Sequence, residues 1–166
     1  MILPVLRYPD PRLKRVSGPV TEITPLIRSL ADDMAETMYA RDGIGLAAPQ
    51  VGVPLRLVVM DISGPEVRGD LMVLINPVLT PLGPEKESDE GCLSVPDFRA
   101  QVCRPSRVLV EALNLEGEVR RFEAEGTLAV CAQHEYDHLE GTLFIDRVSR
   151  LKRALYDRRI RKKEKK

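Results

Sequence analysis

Several features that would place a protein in a broad class are scarce or missing from this sequence of 166 residues. Its 25 basic and 25 acidic side chains cancel, so net charge does not favour nucleic acid or an anionic membrane as a partner. No apolar run approaches the ~18 residues that span a bilayer. The N-terminal stretch is interrupted by Pro4, Pro9 and Pro11 and lacks the apolar segment of a secretory signal. We therefore expect a cytoplasmic protein that does not bind membranes.

Cysteine is scarce too, with three residues, Cys92, Cys103 and Cys131. An odd number of cysteines in a chain without an export signal argues against a disulfide framework. We therefore expect reduced thiols, which are free to bind a metal.

The length and the 43% hydrophobic content fit one domain with one core, spanning residues 1–166. Positive charge is concentrated at its end, where we expect a basic C-terminal helix and tail over about 148–166. Over residues 147–166, eleven basic residues stand against two acidic ones: Arg147, Arg150, Lys152, Arg153, Arg158, Arg159, Arg161, Lys162, Lys163, Lys165 and Lys166. Such a run is typical either of a surface that binds a polyanion or of a solubilising helix face, and the sequence alone favours the second.

Three helices are predicted from capping residues and apolar periodicity. Thr24 as N-cap, followed by proline and apolar residues at four-residue steps, predicts an amphipathic N-terminal helix. A central helix has Thr127 as a candidate N-cap and stops at Gly141. The last helix begins near Ser149 and carries the basic run.

Short aliphatic segments predict strands at Leu55–Asp61 and Leu71–Leu79. The following stretch TPLGPEKESDEG has the composition of a surface loop, and the residues around Gly117 predict a hairpin. These elements predict an α+β fold with antiparallel or mixed sheets packed around the central helix, flanked by the N-terminal and C-terminal helices.

Both histidines of the chain, His134 and His138, lie four positions apart in the stretch CAQHEYDHLEG. On an α-helix, residues i and i+4 share a face, so the two imidazoles can reach one atom. Glu135 is rotated about 100° from His134 and flanks that face, where it can hold a water or a proton. The spacing is that of the metal-binding motif H-E-x-x-H, and the alternative is a solvated helix face with two incidental histidines. Because histidine occurs nowhere else, we favour a metal site.

Two imidazoles leave a metal short of ligands, and the cysteines are candidates for the third. Cys131 shares the helical face, but a metal between the histidines lies about 7.5 Å further along the axis, too far for its short side chain. Cys103 has no special neighbours, and we expect it to pack in the core. Cys92 follows Gly91 in DEGCLSVP, where a sharp bend lets the backbone approach a metal. Cys92 is therefore the expected third ligand.

Two imidazoles and one thiolate leave a fourth position for water, which is typical of a catalytic site. The metal lowers the pKa of that water, and Glu135 can take its proton and pass it to a leaving amine, as in amide hydrolysis. In the stretch GIGLAAPQ, Gln50 is either an ordinary turn residue or a donor to the oxyanion of a tetrahedral intermediate. The backbone N–H of Leu93 is the expected second donor.

Three stretches, GIGLAAPQ, EGCLS and QHEYDH, together resemble the motifs of the peptide deformylase family and follow the family's order. The likeness covers nearly the whole chain, including the N-terminal stretch and the basic C-terminal helix. The resemblance implies removal of the N-formyl group from the initiator methionine of new polypeptides, with release of formate. It also implies an α+β fold with antiparallel sheets around the metal-bearing helix.

By matching position, the resemblance implies a metal bound by Cys92, His134 and His138. It makes Glu135 the general acid and base, with Gln50 and the Leu93 amide stabilising the oxyanion. The family usually holds Fe(II) in cells, although zinc, nickel or cobalt can occupy the site. Members act on chains leaving the ribosome, so the basic C-terminal helix could bind ribosomal RNA, and we expect a monomer.

The resemblance also implies a site for the nascent peptide. The peptide would lie as an added strand along the Cβ-poor backbone of Ile44, Gly45 and Gly91. Arg99 matches a family arginine near the path of the peptide, with an ordinary surface charge as the alternative. The methionine side chain would enter an apolar pocket lined by Ile44, Val130, Cys131 and the ring face of His134.

Two rival functions fit part of this pattern. A zinc endopeptidase also uses H-E-x-x-H, but it usually takes its third ligand from a downstream histidine or glutamate, and no further histidine follows. A binding module in which the metal only stabilises the fold would need a fourth protein ligand, and the sequence offers no convincing one. Asp137, on the flank of the metal helix, is expected to be structural and to pair with Arg104.

Overall fold

The computed structural model describes residues 1–164, in which one five-stranded sheet packs with four α-helices. The helices are α1 (Pro25–Ala40), α2 (Gly64–Val67), α3 (Gly126–Leu139) and α4 (Arg150–Glu164). The strands are β1 (Gly45–Ala47), β2 (Leu57–Met60), β3 (Met72–Cys92), β4 (Val95–Leu113) and β5 (Val119–Glu125). Short 3-10 helices cover Pro11–Lys14, Ala48–Val51 and Phe144–Arg147. The predicted α+β fold is confirmed.

The strands lie in the order β1-β2-β3-β4-β5, and each is antiparallel to its neighbour. Strands β3 and β4 form a long hairpin that closes where Cys92 pairs with Val95. The register shifts between Gly91 and Cys92. Because a bulge redirects the side chains beside it, the tip of this hairpin can present Cys92 away from the regular alternation of the strand.

The predicted strand Leu71–Leu79 is much longer than expected, because TPLGPEKESDEG continues β3 and is not a surface loop. The register shifts across Gly83 and Pro84, which therefore lie in an irregularity of the ladder. Such an irregularity tolerates the missing N–H of proline and the positive φ of 70° at Gly83. The many charged residues of this segment gave it the composition of a loop, although most of them are solvent-exposed strand residues.

Most predicted helix ends and turns are confirmed. The Thr24 hydroxyl accepts a hydrogen bond from the Ile27 N–H at 3.3 Å, and Gly117 turns between β4 and β5 with a φ of 78°. The expected N-cap at Thr127 is wrong, because α3 begins at Gly126 and its N-cap is Glu125. Gly126 adopts a positive φ of 59°, which lets the chain turn directly from β5 into the helix.

Strand β2 is buried on both faces, and one long helix covers each face. Val59 lies in a cluster with Met34 and Met38 of α1. Val58 lies in a second cluster with Leu139 of α3. The sheet therefore separates α1 from α3, and burial of apolar surface on both sides fixes the position of α3.

A third apolar cluster holds the C-terminal segment against β4, where Phe144 and Tyr156 pack with Val102. The last helix begins at Arg150, as predicted, and Lys165 and Lys166 of the basic run lie outside the described residues. Within residues 1–164, no helix combines the length and the apolar character needed to cross a membrane.

Candidate metal centre

The hairpin tip and α3 bring three potential metal ligands together. One ligand atom from each of Cys92, His134 and His138 lies within 4.8 Å of the other two. His138 Nε2 is 3.4 Å from Cys92 Sγ, and the two imidazole rings are 5.1 Å apart between centroids. The two histidines therefore share one face of α3, as the i, i+4 spacing predicts, and Cys92 meets that face from the sheet.

The orientation of His134 fits a metal. Its Nδ1 is 3.0 Å from Glu90 Oε1. An ionised carboxylate can only accept, so Nδ1 carries the proton and Nε2 keeps the lone pair that a metal needs. A thiolate with two neutral imidazoles is a donor set that suits zinc and comparable divalent ions.

Glu90 is held by more than His134. Arg104 donates to both of its oxygens, from Nε at 2.6 Å and from NH2 at 3.0 Å. Burial disfavours the ionised form of Glu90, but the hydrogen bonds from His134 and Arg104 outweigh burial, so the pKa of Glu90 lies below its usual value. Glu90 therefore remains an anion inside the protein.

The predicted pair of Asp137 with Arg104 is confirmed, and it is part of a larger network. Arg104 NH1 donates to Asp137 Oδ2 at 2.8 Å. Arg147 donates to both oxygens of the same carboxylate, at 2.7 and 2.9 Å. Two arginines and two carboxylates thus cancel in charge beside the metal face of α3.

Glu135 lies beside the three candidate ligands and is 2% exposed. Its Oε1 is 3.9 Å from His138 Nε2. Burial raises the pKa of Glu135 to about 7, while the positive charge of Arg104 opposes that rise. A carboxyl group that titrates near neutral pH can both take and return a proton, which suits a general acid and base.

Gln50 is oriented by the backbone. Its Oε1 accepts a hydrogen bond from the Ala47 N–H at 2.9 Å, so its amide nitrogen must face the other way. That nitrogen donates to Ser94 Oγ at 3.1 Å and approaches Cys92 Sγ at 3.6 Å. The amide of Gln50 is therefore held as a donor next to the candidate metal ligands.

A cavity of about 1320 Å³ opens onto this centre. Its wall includes the Cys92 and His134 ligands together with Glu135, whereas His138 is buried behind them. The other predicted site residues on the wall are Ile44, Gly45, Gln50, Gly91, Leu93, Arg99, Val130 and Cys131. The cavity thus brings the predicted peptide-contacting residues to the same space as the candidate ligands.

Two glycines of this wall are closely packed. A Cβ added at Gly45 would lie 2.8 Å from both Cys131 Sγ and Glu135 Oε2. A Cβ added at Gly91 would lie 2.7 Å from NH1 of Arg99. The space that a side chain would need at Gly45 is already taken by buried groups, so the backbone comes unusually close to Glu135.

The remaining cysteines differ from each other. Cys131 is buried against the Ile44 carbonyl, and burial raises the pKa of its thiol well above the usual value, which fits a wall residue and not a thiolate ligand. The expectation that Cys103 packs in the core is wrong, because Cys103 is exposed and lies 3.3 Å from Glu85. Its neighbours Val102 and Arg104 are the buried residues of this alternating stretch of β4.

Three side chains of the site were missed by sequence reasoning: Glu90, Ser94 and Arg147. Glu90 and Ser94 stand two residues on either side of Cys92 within the motif region, which was the available signal. Arg147 belongs to the basic run, whose composition indicates a charged surface and not a buried ion pair.

The fold and the candidate metal site, built on an H-E-x-x-H helix, are those of a metal-dependent hydrolase. The family model for polypeptide deformylase matches residues 2–154, and the chain belongs to the peptide deformylase family. This family consists of metalloenzymes that remove the formyl group from N-terminal formylmethionine, and this is the enzymatic activity of the chain. Membership of this family favours deformylation over the two rival functions, a zinc endopeptidase and a metal-stabilised binding module.

Individual relatives agree with this assignment. A peptide deformylase of Acinetobacter baumannii (strain SDF) is 54% identical over 97% of this chain and 91% of the relative. The crystal structure of a peptide deformylase from Legionella pneumophila has a TM-score of 0.93 and 42% identity, and covers 99% of this chain and 96% of that one. The Met-Ala-Ser-bound crystal structure of a class I type b peptide deformylase from Acinetobacter baumannii has a TM-score of 0.82 and 36% identity, and covers 89% of this chain and 99% of that one.

Proposed function

We propose that the chain removes the formyl group of N-formylmethionyl nascent peptides with one divalent ion bound by Cys92, His134 and His138. The observation that carries this proposal is the approach of the three ligand atoms to within 4.8 Å of one another beside the buried carboxylate of Glu135. We assign Fe(II) as the ion in cells. Zinc, nickel and cobalt share its affinity for imidazole and are the alternatives.

The proposed chemistry divides between the ion and Glu135. A divalent ion with three protein ligands supplies Lewis acidity and lowers the pKa of water toward neutral pH. Glu135 takes a proton from the attacking water and returns it to the amine nitrogen as the bond to the formyl carbon breaks. The raised pKa of Glu135, about 7, supports this exchange because both protonation states are accessible near neutral pH.

Gln50 and Leu93 are the proposed donors to the oxyanion. The Gln50 nitrogen is directed toward Cys92 because its carbonyl oxygen is engaged by Ala47. The backbone N–H of Leu93 belongs to the residue that follows Cys92 at the hairpin tip. Two donors held before the reaction stabilise the charge that develops in the transition state.

We propose that the peptide adds as a strand along Ile44, Gly45 and Gly91. Strand β1 begins at Gly45 and is an edge strand of the sheet, so it can accept an added strand. The methionine side chain would enter among Ile44, Val130, Cys131 and the ring face of His134. Arg99 would contact the peptide further along, from its position on the cavity wall.

The first experiment compares formate release from formyl-Met-Ala-Ser with internal cleavage of casein by the metal-replete protein. We expect formate release and no casein cleavage. Casein cleavage would favour an endopeptidase. Neither reaction, with metal bound, would favour a module in which metal only stabilises the fold.

The ligand set is tested with the cysteines. Cys92→Ala should lose affinity for the ion, measured by chelator competition, whereas Cys103→Ala is the matched control and should bind as the wild type does. An Fe(II) form should lose activity in air because its thiolate ligand lies beside an open position, and a nickel form should resist that loss. Unchanged affinity in Cys92→Ala would contradict the assignment.

We also propose that the protein is a cytoplasmic monomer, one domain over residues 1–166, whose basic C-terminal helix contacts ribosomal RNA. Arg158, Arg161 and Lys162 are exposed on α4, which supports a contact with phosphates. Replacing all three with glutamine should reduce co-sedimentation with ribosomes, more strongly at low salt, and spare turnover of a short formyl peptide.

A control variant carries the same change of charge elsewhere. Arg15, Arg120 and Arg121 are exposed and lie outside α4. Their replacement with glutamine should leave co-sedimentation unchanged. Equal loss in both variants would indicate a response to net charge and not to the helix.

A further inference from the structure

Five charged or titratable side chains form one continuous series that ends at a candidate metal ligand. Arg147 contacts Asp137, Asp137 contacts Arg104, Arg104 contacts Glu90, and Glu90 contacts His134. Each contact in the series is 3.0 Å or shorter at its closest pair of atoms. The series therefore links Arg147, beyond the end of α3, to the imidazole of His134 within that helix.

Arg104 is the centre of this series and uses its whole guanidinium. Nε and NH2 bind Glu90, and NH1 binds Asp137. The Arg104 side chain is 3% exposed, so these bonds replace nearly all of its hydration. A planar fork holds two carboxylates in fixed directions, whereas the single nitrogen of lysine cannot reproduce that geometry.

The 3-10 helix Phe144–Arg147 supports His134 in two ways, one through the ionic series and one by direct contact. Arg147 fixes the Asp137 carboxylate with two bonds, which in turn orients Arg104. Phe144 stacks on the His134 ring, with centroids 6.0 Å apart and planes at 28°. The imidazole is thus held at Nδ1 through the ionic series and on its face by an aromatic ring from the same short segment.

The second histidine has no comparable support. Among residues 1–164, Nδ1 of His138 is buried without a hydrogen-bond partner from the protein. The ionic series therefore acts on one imidazole only.

We infer that Arg104 and Arg147 are positioning residues that act through Asp137 and Glu90 to fix the metal-binding nitrogen of His134. This inference rests on the proposed metal site. A ligand whose partner is held rigidly pays less entropy on binding, and loss of such partners typically weakens metal binding by about 10–100-fold. A purely structural role would instead lower stability and leave the affinity of the folded protein unchanged.

The test measures Co(II) binding by full-length variants in chelator competition, together with the visible absorption spectrum of the Co(II) form. Arg104→Lys keeps the charge and should weaken binding by about 10–100-fold and alter the spectrum. Arg147→Gln removes the more exposed end of the series and should weaken binding by more than twofold but by less than Arg104→Lys does. Arg147→Gln also keeps the test valid if Arg104→Lys does not fold.

Arg56→Gln is the matched control, because Arg56 pairs with Glu140 at 2.8 Å just after the end of α3 but has no link to His134 through the series. It should lower stability slightly and leave Co(II) affinity and the spectrum unchanged. Affinity within twofold of the wild type in every folded Arg104 and Arg147 variant would overturn the inference. An equal loss of affinity in Arg56→Gln would also overturn it.

The wild type separates this inference from the proposed function. If the wild-type chain binds no Co(II), the proposed metal site itself is wrong. If the wild type and both arginine variants bind equally, the metal site stands and only the positioning role fails.

Discussion

Glu90 and Glu135 are two buried glutamates near His134, yet they have opposite acid–base behaviour. They are 4% and 2% exposed, so burial opposes ionisation of both. The pKa of Glu135 rises to about 7, whereas the pKa of Glu90 falls below its usual value. The difference comes from contacts: Glu90 accepts direct hydrogen bonds from Arg104 and His134, and Arg104 acts on Glu135 only from a distance. Burial alone therefore yields a proton carrier, and burial with a bonded guanidinium yields a fixed anion.

A substitution at Glu135 should have the largest effect on activity. Glu135→Ala removes the proposed proton carrier and leaves Cys92, His134 and His138 in place. Formate release should fall by at least ~10²-fold, the usual contribution of a positioned acid or base, while the metal content per chain stays at the wild-type level. Both quantities are measured on protein prepared anaerobically.

The matched control for that variant is Glu140→Ala, which removes a partly exposed glutamate just beyond the end of the same helix. Its turnover should stay close to that of the wild type. Full activity in metal-replete Glu135→Ala would show that another group carries the proton.

Removing the charge of Glu90 should have the next largest effect, and it should appear in metal binding first. Glu90→Gln keeps the shape of the side chain, but its amide no longer neutralises Arg104 and accepts more weakly from His134. Metal affinity should fall by about 10–100-fold, as is typical when the hydrogen-bond partner of a ligating imidazole is lost. Chelator competition gives the affinity, and turnover at saturating metal should be affected less than in Glu135→Ala. Normal affinity together with a turnover as low as that of Glu135→Ala would reverse the two assignments.

The same two glutamates show how far sequence reasoning reaches. The position of Glu135 could be predicted because helical spacing is local: residues 134, 135 and 138 belong to one helix with a known rotation per residue. The role of Glu90 could not, because its partners Arg104 and His134 lie 14 and 44 residues away and meet it only through tertiary packing. Pairing across such separations depends on strand register, which the local pattern does not specify.

The fold shows the same limit. Thr24 was a correct N-cap prediction because capping is a contact within one turn. The extension of β3 through Gly83 and Pro84 was missed because its stability comes from pairing with β4, and the charged composition of the segment is typical of a loop. The site residues on motifs were therefore easier to predict than the long hairpin that presents Cys92.

The smallest effect should come from the acid next to Glu90 in the chain, and it sharpens the comparison by separating charge from burial. Asp89 pairs with Arg99 at 2.7 Å, but these side chains are 51% and 64% exposed. Asp89→Asn should change the free energy of unfolding by at most about 1 kcal/mol, because water and salt screen an exposed pair. Glu90→Gln should lower the free energy of unfolding by about 3–5 kcal/mol, because the substitution leaves the buried guanidinium of Arg104 without an anionic partner on that side.

Urea denaturation of the metal-free proteins measures the free energy of unfolding of both variants. Raising the salt concentration should reduce the Asp89 effect further while leaving the Glu90 effect in place. Equal losses in the two variants would mean that burial does not distinguish these neighbouring acids.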